Sequence, residues 1–129
     1  MSVEENKALI HRVVEALNSR NWVLAGELTD PNFVDHSPQV PGAALYKDAF
    51  PDFQATIEHV IAEGDKVVVR VTVTGTHRGE FMGVPPTNKR VSWTSIIIYR
   101  IVNGKVVERW ANTDMMQQLG AVTIKTASK

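Results

Sequence analysis

Lys66-Val67-Val68-Val69-Arg70-Val71-Thr72-Val73-Thr74-Gly75-Thr76-His77 is the stretch on which the fold turns. In an extended chain Val67, Val69, Val71 and Val73 fall on one side, and Arg70, Thr72 and Thr74 on the other. Alternation of this kind marks a strand with one packed face and one wetter face. His77 shares the parity of the valines, provided no bulge intervenes at the glycines that flank it, Gly75 and Gly79. Gly64-Asp65, just upstream, is a hairpin turn signal. Before it, from Phe53 onward, Ile57, His59 and Ile61 share one face, and Thr56, Glu58 and Val60 the other. Downstream, Arg78 to Lys89 is a long connection holding Gly79, Gly83, Pro85 and Pro86. A third strand runs from Arg90 to Val102. Asn103-Gly104 is the strongest turn signal in the chain, and a fourth strand follows from Lys105 to about Thr113.

The residues before this strand run have a different period. Ser2-Val3-Glu4-Glu5 has capping-box spacing and opens a helix, along which Leu9, Ile10, Val13, Val14 and Leu17 recur at helical spacing. Asn21 caps a shorter helix, Trp22 to Leu28, with Trp22, Leu24 and Leu28 inward. Asp30-Pro31 stops it. Phe33-Val34 reads as a very short strand, Ser37 to Gly42 as a loop, and Ala43 to Phe50 as two helical turns ended by Pro51. At the other end, Met115 to Leu119 forms a helical turn that Gly120 ends, and Thr123 to Lys129 is expected to fray. Helices first and hairpin-linked strands afterwards make an α+β pattern. The sheet must curl over the helices to bury its apolar face, and a curled sheet closed at one end by helices encloses a pocket.

At 129 residues the chain is expected to be one domain, 1–129. Fourteen basic residues balance fourteen acidic ones, which argues against a nucleic-acid partner and against a polybasic membrane-surface protein. The absence of cysteine excludes a disulfide scaffold, a thiolate metal site and a cysteine nucleophile. No apolar run approaches the ~20 residues that span a bilayer. The acidic N-terminus lacks the plan of a signal peptide, so the expected location is the cytoplasm.

Several residues can carry chemistry. Asp114 ends the last strand in step with Val106, Glu108, Trp110 and Asn112. If Trp110 packs inward, Asp114 points into the same interior, where a carboxylate beside an indole serves as general acid or base. The other reading is that Asp114 caps the helical turn after it. His77 either donates to a substrate oxygen and moves protons near neutral pH, or closes the strand end structurally. His36 either lines a pocket mouth or orders the loop beside Asp35. His59 reads as a core or interface residue, and His11 as solvent-exposed. His36, His59, His77 and Asp114 have no metal-ligand spacing, so no metal is expected. No phosphate-binding glycine loop and no nucleophile elbow occurs. Trp93 and Tyr99 share parity with Ser95 and Ile97, and suit either an aromatic-ligand wall or a sheet face that pairs with another subunit.

Four segments together resemble the SnoaL-like polyketide cyclases, also called ester cyclases. They are Phe33-Val34-Asp35-His36-Ser37-Pro38, Ala62-Glu63-Gly64-Asp65-Lys66-Val67-Val68, Gly75-Thr76-His77-Arg78-Gly79-Glu80-Phe81-Met82-Gly83-Val84-Pro85-Pro86-Thr87, and Asn103-Gly104-Lys105-Val106-Val107-Glu108-Arg109-Trp110. The resemblance runs from Glu4 to about Val122. It implies the nuclear-transport-factor-2-like fold, a cone-shaped α+β barrel of curved antiparallel sheet against N-terminal helices. It also implies an intramolecular aldol reaction run by acid/base residues without a metal or an organic cofactor. The family's acid/base aspartate maps onto Asp114, and its motif histidines onto His36 and His77. Trp93, Trp110, Tyr99, Asn112 and Phe81 are the residues expected against the substrate. Between Pro38 and Phe50 the chain is shorter than is usual in the family, which predicts a more open site or one completed by a second subunit. Three functions follow from the residues and the resemblance: a cofactor-free cyclase or isomerase, a non-catalytic module that binds an apolar small molecule, and a dimerisation domain with a vestigial pocket. A homodimer through the sheet face is expected in each.

Overall fold

The computed structural model describes residues 2–120; the expected fraying of Thr123 to Lys129 lies outside them. Helix α1, Val3–Asn18, starts where the capping box places it. The Ser2 hydroxyl accepts from the Glu5 amide and the Glu5 carboxylate accepts from the Ser2 amide, both at 3.0 Å. Its apolar stripe, led by Leu9, Ile10 and Val13, is buried. The Asn18 side chain pins the far end, bonding both the amide and the carbonyl of Ala55 at 2.8 Å. Helix α2, Trp22–Glu27, is capped by the Asn21 side chain. It buries none of its residues, so Trp22 is more exposed than its spacing suggests; the indole lies tilted at 42° to the Phe53 ring, 6.4 Å away.

Strand β1, Thr29–Asp35, is longer than the two residues expected, and Pro31 lies inside it. It survives as a strand because it is an edge with an interrupted ladder. It pairs only at Thr29 and again at Val34 and Asp35, and the missing proline N–H falls in the gap. Helix α3, Ala43–Tyr46, is one turn rather than the two expected over Ala43 to Phe50. The remaining strands are β2 (Gln54–Glu63), β3 (Lys66–Thr76), β4 (Arg90–Val102) and β5 (Lys105–Thr113). They run in the order β1-β5-β4-β3-β2. All neighbours are antiparallel except β1, which runs parallel to β5. The chain thus has the α+β architecture of a curved sheet packed against N-terminal helices. The sheet is open, with β1 and β2 as edges, and does not close into a barrel.

The pairing of β3 with β4 is unbroken from Lys66↔Arg100 to Thr76↔Arg90. The valine face of β3 is therefore buried as its alternation requires, and Val91 and Trp93 of β4 are buried with it. The outer two antiparallel strands behave differently. In β2 the register shifts between Ile57 and His59, so Glu58 is an extra residue. In β5 it shifts so that Ile101 pairs Val106 and Arg100 pairs Glu108, leaving Val107 extra. Each bulge inverts the faces beyond it. Inside β2, Ile57 is followed by Val60 and Ala62, while His59 and Ile61 turn out. Inside β5, Val106 is followed by Arg109 and Ala111, while Glu108, Trp110 and Asn112 turn out. The expectation that Ile57, His59 and Ile61 share a face fails for this reason, as does the inward Trp110 and, with it, the placing of Asp114 in the interior by parity with that ring.

Beyond β5, residues 115–120 are helical, Gly120 included, and Met115 and Leu119 return to the core. An aromatic cluster forms the centre. Phe50 stands at the middle, with ring centroids 5.0 Å from Trp93, 5.3 Å from His77 and 5.7 Å from Phe81. Among the described residues no helix is long and apolar enough to cross a membrane.

Candidate functional site

Under α1 and α3 the inner face of the sheet encloses a cavity of about 70 Å³. Val69, Val71, Val73 and Ile97 make its apolar floor. Its aromatic wall is Trp93 and Tyr99 from β4 and Tyr46 from α3, with the Tyr46 ring set edge-on to Trp93 at 5.3 Å. Ser95 and Arg109 supply further polar groups, and Pro41, Gly42 and Ala43 line it away from the sheet.

Arg109 is inward only because of the bulge at Val107. It is 8% exposed. Its Nη1 donates to both oxygens of Asp35, at 3.0 and 2.9 Å, and to the Ser37 carbonyl at 3.2 Å. Its Nη2 donates to the Val40 carbonyl at 3.0 Å. The guanidinium thus ties β1 and the loop after it to β5. Burial raises the Tyr46 phenol well above its ordinary pKa, with a contribution from Tyr99 nearby. Burial also raises Tyr99, against the pull of Arg109. Both phenols are neutral O–H donors at physiological pH.

The residues named from sequence fall in five places. Trp93 and Tyr99 face the cavity. Phe81 lies beside it, edge-on to Phe50, and borders a separate groove of about 300 Å³ with Pro38, Pro41, Leu45 and Met82. His77 is buried behind Phe50, stacked on its ring. Its Nδ1 accepts from the Thr87 amide at 3.3 Å and lies 3.1 Å from the Thr87 hydroxyl. Burial lowers its pKa, partly offset by the carbonyls of Gly79 and Val84. Asp114 directly follows β5; its Oδ1 accepts from the Thr94 amide at 2.7 Å and its Oδ2 lies 3.4 Å from Gln118 Nε2. Thr113, one residue before it, reaches the cavity wall through a 2.9 Å hydrogen bond from the Ser95 hydroxyl.

His36, Trp110 and Asn112 are on the other face of the sheet. His36 stacks on Trp110 with centroids 4.7 Å apart, and its Nε2 lies 2.6 Å from Glu108 Oε2. Arg100 Nε also donates to Glu108. These two partners, His36 first, hold the Glu108 carboxyl below the ordinary value. A depressed carboxyl stabilises the fold above its unfolded pKa of about 4.3, and that stability is lost as pH falls through the lower folded value. Glu108→Gln is therefore expected to flatten the acid limb of a urea-unfolding series taken below pH ~5. An unchanged acid limb would assign the acid sensitivity to other carboxylates.

Among the described residues no three metal-ligating side chains gather. Arg109, Tyr46 and Asp35 are the site residues that sequence reasoning missed. A signal for Arg109 was present: the Val106-Val107 doublet breaks the alternation of the last strand, as a bulge does.

The sequence profile of the SnoaL-like polyketide cyclases matches residues 7–122. The chain is 30% identical over 112 residues to the aklanonic acid methyl ester cyclase DauD of Streptomyces sp. strain C5, covering 76% of this chain and 69% of that protein. Among solved structures it is similar to AclR of Streptomyces galilaeus, named as a proposed hydroxylase. The TM-score is 0.83 at 37% identity, over 95% of this chain and 87% of that one. It is also similar to IdmH of Streptomyces antibioticus, named as a proposed polyketide cyclase, with a TM-score of 0.75 at 30% identity over 89% and 98% of the two chains.

Proposed function

The chain belongs to the SnoaL-like polyketide cyclase family, and from that premise we propose that it is a cofactor-free cyclase or isomerase. Its reaction is proton transfer next to a carbonyl of a small apolar or polyketide-like substrate. The observation that supports this most is the composition of the interior cavity: three aromatic rings and an apolar floor, with a guanidinium and two phenols among its polar groups. Donors in a water-poor site stabilise a developing enolate oxygen far better than water does.

In this reading the Asp114 carboxylate takes the proton from a carbon flanked by carbonyls. The electron pair of that C–H bond becomes the enolate. The enolate carbon adds to a second carbonyl carbon of the same molecule, forming one C–C bond, and the alkoxide so made takes the proton back from Asp114. The product is an isomer of the substrate, so nothing is oxidised or reduced. Trp93, Tyr46 and Tyr99 wall the cavity that receives one end of the reactant. The test is incubation with a panel of polyketide-type keto acids, keto esters and diketones, followed by mass spectrometry with chromatography. A new product of unchanged mass is expected. A product heavier by one oxygen would replace this reading with a hydroxylation of the kind named for AclR.

A second reading is a binding module without turnover. It is favoured by one observation: the described cavity lining contains no carboxylate. Ligand binding with no product, and no effect of Asp114→Asn on affinity, would establish it.

We further propose a homodimer through the outer face of the sheet. Ile61↔Val68, Val68↔Ile98 and Ile98↔Trp110 are successive cross-strand partners, so one apolar row crosses four strands on that face. Ile61 in this row is 66% exposed. Ile61→Glu is expected to convert a dimer into a folded monomer by light scattering. A wild-type monomer at high concentration would overturn the dimer.

A further inference from the structure

The cavity carries donors that the chain itself leaves unused. A guanidinium has five N–H groups in a fixed fork. Asp35, Ser37 and Val40 occupy Nη1 and one N–H of Nη2 of Arg109. Nε–H and the second Nη2–H have no acceptor among the described residues. The hydroxyls of Tyr46 and Tyr99 make no hydrogen bond among the described residues either, and both side chains line the same cavity. The Tyr and Arg donors surround a space of about 70 Å³. That is roughly half the size of an apolar cavity that admits benzene. A head group of a few heavy atoms fits, and a ring does not.

We propose that this cavity binds an ionised carboxylate, received by the free edge of Arg109 and by the Tyr46 and Tyr99 hydroxyls, so that the substrate is a keto acid rather than its ester. The proposal rests on the acid/base reading above and names the substrate class for that site. Two parallel N–H donors on a planar cation match the two oxygens of a carboxylate, and they match a neutral ester less well. The apolar floor of Val69, Val71 and Val73 strengthens that pairing by lowering the local dielectric. Asp35 opposes it, because it already balances the charge of Arg109. Its side chain is 32% exposed, so solvent screens part of that repulsion. The body of the substrate lies toward Pro41, Gly42 and Ala43, where the wall is loop and helix start rather than sheet.

The experiment is an NMR titration of isotope-labelled protein with 4-oxopentanoate and, separately, with its methyl ester. The acid is expected to bind about tenfold more tightly than the ester and to shift the Arg109 Nε–H resonance. Tyr46→Phe and Tyr99→Phe keep their rings and lose one donor each. Each is expected to weaken acid binding by about threefold to tenfold and ester binding by less. Asp35→Asn keeps an acceptor for Arg109 and removes the competing charge, so it is expected to strengthen acid binding and not ester binding. A merely structural role for Asp35 would not produce a gain. Equal affinity for acid and ester, no binding of either, or indifference to both tyrosine changes would overturn the proposal. Acid preference without turnover on any keto acid would keep the carboxylate site and sink the cyclase reading. Ester preference with turnover that depends on Asp114 would do the reverse.

Discussion

Asp114→Asn is expected to lose about 10²- to 10⁴-fold in turnover while folding normally, the range that a positioned general acid or base contributes. The substitution separates the two roles that the position can have. As a structural cap, Asp114 needs only an acceptor for the Thr94 amide, 2.7 Å from its Oδ1. Asparagine supplies that acceptor, so a purely structural residue would show wild-type turnover and a near wild-type melting temperature. As a base, Asp114 needs a carboxylate that can take and return a proton, which asparagine cannot do. Asp114→Ala completes the comparison, since it loses the acceptor as well and is expected to cost about 1 kcal/mol of stability. Turnover of an aldol substrate and thermal unfolding of both variants decide the matter. Normal turnover in Asp114→Asn would remove this residue from the chemistry.

The second large effect is on stability. Arg109→Met is expected to destabilise the protein by about 3 kcal/mol, the lower part of the range for breaking a buried ion pair by removing one partner. Arg109 makes four hydrogen bonds that tie β5 to Asp35, Ser37 and Val40. Without it the carboxylate of Asp35 loses its cation, and two carbonyls lose their donor. Asp35 reaches solvent, which is why the upper part of the range does not apply. In a chain of this size the loss corresponds to a fall in melting temperature on the order of 10 °C. Arg109→Lys retains the charge but not the fork and should recover part of the difference. Urea unfolding measures both variants. An unchanged midpoint in Arg109→Met would show that the loop after β1 is held by other contacts.

Both positions show how much of the site could be read in advance. Trp93 and Tyr99 were placed on one strand face by alternation alone, and the uninterrupted β3–β4 ladder carries that alternation straight into the cavity wall. Trp110 and Asn112 were placed by the same rule on β5 and emerge on the opposite face, because Val107 shifts the count by one. Arg109 takes their place inside. His36 was read as a residue of the pocket mouth or the loop; it stacks on Trp110 because both lie on the outer face. Tyr46 was invisible as a site residue. Its segment, Ala43–Tyr46, reads as an ordinary short helix, and only the approach of that helix to Trp93 brings its ring to the cavity.

By itself the sequence determined the elements and their order: the capped first helix, the valine strand, the Asn-Gly hairpin and the resulting α+β class. Those features depend on local period, capping and turn chemistry, which act between residues a few positions apart. The tertiary structure alone decided that β1 runs parallel to β5, that the sheet stays open, and which side of β2 and β5 faces the core. A bulge is chosen by the curvature the sheet needs and by hydrogen bonds to a neighbouring strand, both set by residues distant in the chain. One inserted residue exchanges the two faces of everything after it, and so the charge that enters the cavity is Arg109 and the ring left outside is Trp110.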